Sequence, residues 1–366
     1  MPPTITTNDR TEQVFGERLR RGRTLRGLSL RALSQRIGGL VSHTALQKYE
    51  KGEMSPNSTV LLELADALAV RPDYFFEMQS VTLSRIEFRK KADFGKAKQS
   101  QVVEAAQEFL ERYLEVERLL AIQHPVLTAA KVAQGSGVDP GDAVESAASE
   151  LRDAWRLGSG PLPNVHELLE DHGVKVFELD GDGSFGGLSG WAGDVPVVVL
   201  ANGMSADPTR KRFTALHELG HLAMQLPANL TSKDKERLCT RFAAALLIPK
   251  DAFAREFGSA RQFRLMSPQE PLAIKAQWGM SVGAIMHRAM DLGLLSQSSY
   301  ADYAVWARQR GWRVAEPKAW NGSETSTRLK QLVHRASAQE LITRSKAAGL
   351  LNQTLDEFDR DYRLAE

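Results

Sequence analysis

The pentapeptide His217-Glu218-Leu219-Gly220-His221 constrains this chain more than any other feature. Four residues turn an α-helix by about 400°, so on a helix the two imidazoles lie some 40° apart on one face and about 6 Å apart along the axis, close enough to converge on one cation. The neighbouring residues supply the helix. Asp207 suits its N-cap, Pro208 suits its first turn, and the helical pattern runs to about Gln225. Two neutral imidazoles suit Zn²⁺, and a catalytic zinc site takes a third protein ligand and leaves one position to water. A bound cation acidifies that water. Glu218, flanking the same face, is placed to take the proton as the water attacks a peptide carbonyl.

The third ligand has to come from a later element packed on this helix. Glu236 stands at the start of the next patterned segment, a helix whose buried stripe is Leu238, Phe242, Ala245 and Leu246. Asp234 competes locally, and Glu178 or His172 would serve in a different fold. The other histidines (His43, His124, His166, His287 and His334) lack metal-ligand spacing. Cys239 is the single cysteine, which excludes an internal disulfide and a cysteine-cluster metal site and fits a reducing compartment. Its position suggests a small buried helix residue.

The run Phe213-Thr-Ala-Leu-His217-Glu218-Leu-Gly-His221, followed by Glu236, Phe242, Leu246 and Pro249, resembles the ImmA/IrrE family of zinc metallopeptidases from about Gly160 to Pro249. The resemblance implies that His217, His221 and Glu236 hold zinc and that Glu218 is the catalytic base. Where the family often has Ala-Asn, this chain has Cys239-Thr240.

Charge points to a second activity. Over the whole chain 47 Lys and Arg nearly balance 45 Asp and Glu, but from Val14 to Lys51 there are nine basic residues and two acidic ones. Such a basic module suits a polyanion. Phe15, Leu19 and Leu25 mark a first amphipathic helix. Ser29 caps a second that ends at Gly38-Gly39, Ser42 caps a third, and Asn57 or Ser58 precedes a fourth that Pro72 stops. The segment Phe15 to Phe76 resembles the helix-turn-helix of phage repressors (XRE type), on Leu28-Ser29, Leu33, Ser42 to Gly52, Pro56 and Leu64-Ala65-x-x-Leu68. It departs in having Leu30 where glutamine is common and about two extra residues between Gly38 and Val41. A recognition helix from Ser42 would bury Leu46 and present His43, Thr44, Gln47 and Lys48. Gln47 can pair with an adenine edge, while Arg31, Lys48 and Asn57 or Ser58 suit phosphates. Modules of this kind usually bind two half-sites as dimers, so a homodimer on a double-stranded DNA operator is expected.

A length of 366 residues allows two or three domains, and 42% hydrophobic residues suffice for their cores. The expected fold class is mainly α with a small β-sheet (α+β). Residues 11–78 form an all-helical DNA-binding domain and 79–159 a helical connector, its basic stretch Arg85 to Lys98 a candidate cleavage site. Residues 160–250 form a zincin-like metallopeptidase domain and 251–366 a helical extension for packing or for substrate or ligand recognition. Strand-like pieces are Val174 to Leu179, Leu188 to Trp191 and Val197 to Leu200, the first two separated by Gly181, Gly183, Gly186 and Gly187. Leu329 to Val333 and Ser337 to Gly349 read as surface helices. No apolar run is long enough for a membrane span, so the expected location is the cytoplasm, on the nucleoid when DNA is bound. The function these features imply is a transcriptional regulator whose zinc endopeptidase domain cleaves itself or a partner repressor. The alternative is a non-proteolytic antitoxin or autorepressor whose zinc domain holds a toxin partner or senses a ligand.

Overall fold

The computed structural model describes residues 7–77, 81–90, 93–132, 139–180, 183–204, 207–258 and 266–363. Helices dominate them, joined by one four-stranded sheet and a two-stranded one, an α+β architecture as expected. The chain divides into two compact units, the first drawn from Met1–Leu83, Ala92–Ile122 and Leu332–Glu366, the second from Ser84–Lys91 and Gln123–Gln331.

The first unit opens with four helices, α1 (Thr7–Leu25), α2 (Leu30–Arg36), α3 (His43–Glu50) and α4 (Ser58–Leu68), and a 3-10 turn, Pro72–Phe76. Three are capped by the residues their sequences offer. The hydroxyl of Ser29 accepts from Ala32 N–H, that of Ser42 from Ala45 N–H, and Asn57 Oδ1 from Val60 N–H, each satisfying a donor that the first turn leaves open. Phe15, Leu19, Leu33, Leu46, Leu64, Leu68 and Phe75 meet in one core. The basic residues divide into two kinds. Arg18 and Arg21 are buried and ion-paired with Glu104 and Glu111, Arg23 pairs with Glu50, and Arg26 donates to the carbonyl of Leu68, so these four belong to the scaffold.

Strand β1 (Leu83–Lys90) and helix α5 (Lys96–Leu119) follow. Val102, Ala106, Leu110, Tyr113 and Val116 line the buried face of α5 at helical spacing. The expected boundary at 78–79 lies outside the described residues, as do the glycines at 135, 137 and 181. The connector reading needs correction: 79–159 is only partly helical, because β1 is an outer strand of the sheet. Its basic residues hid an alternating strand in which Ile86 and Phe88 fall on one face.

The second unit continues through β2 (Ala130–Lys131), α6 (Pro140–Ala154), α7 (Val165–Asp171), β3 (Lys175–Leu179), β4 (Phe185–Ala192), β5 (Val195–Ala201), α8 (Pro208–Ala223), β6 (Met224–Gln225) and α9 (Ser232–Leu247). The sheet order is β1-β4-β5-β3. β5 runs antiparallel to β4, with Leu188 opposite Val199, and parallel to β3, with Phe177 opposite Val199. Val197 to Leu200 are wholly buried, as the continuous apolar run of a central strand requires. Gly186 and Gly187 lie inside β4 and not in a separating loop. Asp207 caps α8, and Pro208 takes its first position. This helix ends two residues earlier than expected, where Met224 and Gln225 pair in parallel with β2. α8 packs on β4, β5 and α9, and its close approach to α9 depends on Gly220, where a Cβ would stand 3.3 Å from Cys239 and Phe242.

Helices α10 (Lys250–Phe257), α11 (Gln269–Trp278), α12 (Val282–Asp291) and α13 (Gln297–Gln309) complete the helical part of this unit. An irregular segment then leads to α14 (Arg328–Ala338), α15 (Arg344–Leu350) and α16 (Leu355–Arg363). The segment is pinned by Glu324, whose carboxylate accepts from the N–H groups of Val165 and His166 and lies 3.2 Å from Arg212 Nε. The C-terminal extension is therefore not one piece: it divides at 331–332 between the two units. Its last helices are not merely surface helices, since Val333, Ala336, Ala347 and Phe358 are fully buried, and Ser337 to Gly349 is broken between α14 and α15. Within the first unit, Lys346 pairs with Glu115 and Arg112 donates to the carbonyl of Leu350.

Candidate metal centre and nucleic-acid interface

His217 and His221 project from successive turns of α8, their ring centroids 5.2 Å apart. Glu236 lies in the first turns of α9, after the cap at Thr231, and its carboxylate bridges the two rings. Oε2 is 3.1 Å from His217 Nε2 and Oε1 is 3.4 Å from His221 Nε2. One donor atom from each residue falls within 4.8 Å of the others. Two imidazole nitrogens and a carboxylate at this separation suit Zn²⁺. His217 is buried whereas the side chain of Glu236 is 47% exposed, so the cluster opens toward solvent on the α9 side.

The competing ligands are used elsewhere. Asp234 accepts from the Thr231 hydroxyl in the α9 cap, Glu178 pairs with Lys211, and His172 stacks on Trp155.

Glu218 points to the sheet. It is fully buried, and a Cβ on Gly187 of β4 would stand 3.0 Å from its Oε1, so the glycine makes room for the carboxylate. Both of its oxygens are enclosed and neither makes a well-formed hydrogen bond to the protein, although the buried Ser189 hydroxyl on β4 is close enough to act on the carboxylate. A carboxylate in that state suits a group that exchanges a proton with a small bound molecule such as water. Burial pushes its pKa up to about 7, against the opposing influence of His221 and Arg89. Burial lowers the pKa of His217, with Glu236 resisting. Burial would lower His221 too, but hydrogen bonds to Cys239 and Glu236 raise it to about 10. Hydrogen bonds from both histidines hold Glu236 well below the usual carboxylate range. A bound cation would take the place of the protons these groups share.

Three neighbours of the site were not singled out as such from sequence. Arg89, on β1, donates to Thr214 Oγ1 on α8 at 3.2 Å and its charge acts on Glu218 and Glu236. It lay within the basic stretch read as a connector, and its strand alternation was the available signal. Thr240 Oγ1 lies 3.2 Å from His217 Nδ1, and Cys239 Sγ lies 3.5 Å from His221 Nδ1. Helical spacing from Glu236 would have placed both near the rings. Cys239 is buried, as its sequence position suggested.

In the first unit Ser42 caps α3, Leu46 and Tyr49 face the core, and His43, Thr44, Gln47 and Lys48 are exposed. Arg31 on α2 is exposed as well. The five expected DNA contacts are thus accessible on two consecutive helices.

Comparison with known proteins matches this geometry. Residues 169–290 match the family described as the IrrE N-terminal-like domain, and residues 19–75 match the helix-turn-helix family. One stretch of the chain is thus similar to helix-turn-helix domains and another to IrrE N-terminal-like domains. Among curated proteins, an uncharacterized HTH-type transcriptional regulator of Sinorhizobium fredii is 42% identical over 62 residues, which is 17% of this chain and 42% of that protein. An uncharacterized transcriptional regulator in the ATPase CF(0) region of Rhodospirillum rubrum is 44% identical over 61 residues, 17% of this chain and 55% of that protein. The chain spans about half the length of these relatives or less. The IrrE-like match runs past Pro249 to residue 290, so it takes in α10, α11 and most of α12, whereas β1 with Arg89 lies outside it. Among the described residues no helix is long and apolar enough to cross a membrane.

Proposed function

We propose that this chain is a DNA-binding transcriptional regulator whose IrrE-like domain is a zinc-dependent endopeptidase that cuts the chain itself or a partner repressor and so switches gene expression. The observation that carries the reading is the convergence of His217, His221 and Glu236 beside a fully buried carboxylate, Glu218, neither of whose oxygens makes a well-formed hydrogen bond to the protein. His217, His221 and Glu236 would hold Zn²⁺, which when bound polarises a carbonyl and acidifies water. Glu218 takes and returns the proton, a role that burial favours by bringing its pKa near neutrality. Gly187 keeps the space that this side chain needs, and the exposed flank of Glu236 offers the way in for a peptide. In the other domain α3 would enter the major groove of a double-stranded operator, with Gln47 reading a base edge and Lys48 and Arg31 on phosphates. Two half-sites would be met by a homodimer, in the cytoplasm and on the nucleoid.

A second reading has its own support. Glu218 is entirely enclosed and β4 is already paired with β1 on its outer side, which favours a domain that holds a partner, such as a toxin, or senses a ligand without cutting. Pairing in β1 also argues against Arg85 to Lys98 as a freely cleaved linker, residues 91–92 lying outside the described chain. One experiment separates the two readings. The purified chain, alone and with a helix-turn-helix repressor encoded nearby, is incubated with and without chelator, beside the Glu218→Gln variant. Fragments that form only in the untreated wild type support proteolysis; identical fragments in all three samples, or none in any, count against it.

A further inference from the structure

The two histidines are backed by adjacent residues of α9, and the two backings differ in kind. Thr240 Oγ1 donates to the carbonyl oxygen of Glu236, one turn earlier, at 2.8 Å, and lies 3.2 Å from His217 Nδ1. A hydroxyl has one proton to give and two lone pairs to offer. With its proton committed to the carbonyl, Thr240 can meet His217 only as an acceptor, so in a His217 that holds a cation the ring proton sits on Nδ1. Nε2, 3.1 Å from the Glu236 carboxylate, shares a proton with it in the metal-free protein, and presents its lone pair once a cation takes that proton's place. The same hydroxyl therefore ties together the ring of one ligand and the backbone of another. Cys239 offers less. Its thiol, 3.5 Å from His221 Nδ1, is a weak partner and has no second bond that fixes which way its proton points.

We propose that Thr240 is a positioning residue: its hydroxyl fixes His217 with the Nε2 lone pair directed at the cation and couples that ring to the turn of α9 that bears Glu236. The proposal rests on the zinc reading of the site. It takes a concrete form because partners on the far nitrogen of a ligating histidine fix ring orientation, and their loss weakens metal binding.

The test uses the full chain and the variants Thr240→Val, which keeps shape and removes the hydroxyl, Thr240→Ser, which restores it, and His217→Ala. Zinc affinity is measured by competition with a chromophoric chelator, and helix content by circular dichroism. Long-range ¹H–¹⁵N spectra of histidine-labelled, zinc-loaded protein report which nitrogen of His217 is protonated. The expected result is zinc binding weakened about 10- to 100-fold in Thr240→Val at unchanged helix content, and Thr240→Ser within about threefold of wild type. The spectra should place the wild-type proton on Nδ1. Wild-type affinity in Thr240→Val, equal weakening in Thr240→Ser, or a proton on Nε2 would each overturn the proposal. A wild-type protein that binds zinc no better than His217→Ala would instead overturn the zinc reading.

Discussion

Glu324 shows how a single carboxylate can hold a long irregular segment in place. It accepts from two N–H groups at the start of α7 and faces Arg212, and both side chains are fully buried. Burial raises its pKa to about 7, with Arg212 opposing. The sign of the consequence follows from proton counting. Between its ordinary value of 4.5 and about 7 the folded state keeps a proton that the unfolded state has released, so the contribution of Glu324 to stability falls as pH rises through that window. Glu218, raised by the same cause in the metal-free protein, adds to the slope. Buried His166, its pKa lowered to about 3, pulls the other way below pH 6.5, so the contribution of Glu324 is read as a difference. In urea unfolding of metal-free protein between pH 5 and 7.5, the stability of wild type relative to Glu324→Gln, which cannot titrate, should fall as pH rises; a constant difference would show that Glu324 does not contribute.

At the scale of the element, α1 and α3 use similar residues for opposite ends. Arg21 of α1 is fully enclosed and pairs with Glu104 and Glu111 of α5, while Lys48 of α3 stands exposed among His43, Thr44 and Gln47. Removing one partner of a buried ion pair leaves the other short of its charge, so Arg21→Ala should cost about 3 kcal/mol of stability. Lys48→Ala should leave stability within about 0.5 kcal/mol and lower the slope of log affinity for DNA against log salt by about 1. Chemical unfolding and fluorescence anisotropy across a salt series measure the two effects. Equal effects of both substitutions on stability would contradict the division between scaffold and contact residues.

For the molecule as a whole, chain order and spatial grouping part company. The last helices, α15 and α16, belong with the helix-turn-helix domain in the first unit, through the pairing of Lys346 with Glu115 and the bond from Arg112 to Leu350. Truncation after Gln331 strips α5 of these partners and removes the buried side chains of Val333, Ala336, Ala347 and Phe358. The truncated chain should melt at a lower temperature and lose DNA affinity while it still binds zinc, which calorimetry and chelator competition would check. Unchanged melting would mean that α15 adds nothing to the first unit.

Local chemistry made much of this protein legible before its fold was known. Caps at Ser29, Ser42, Asn57 and Asp207, the apolar run of β5 and the helical spacing of His217 and His221 each depend on neighbours within a turn or two, so sequence alone determined the four-helix module and the helix that carries both histidines, while Glu236 stood beside Asp234, Glu178 and His172 until the packing of α9 on α8 brought it to the rings. Pairings between distant residues carry no such local mark. The second strand of the β1–β4 pair, the burial of Arg18 and Arg21, the place of Arg89 beside Glu218 and the return of the C-terminus to the first unit all join residues far apart in the chain. Only tertiary structure decided them, because a basic side chain reads the same in sequence whether its charge ends in solvent, on DNA or against a buried carboxylate.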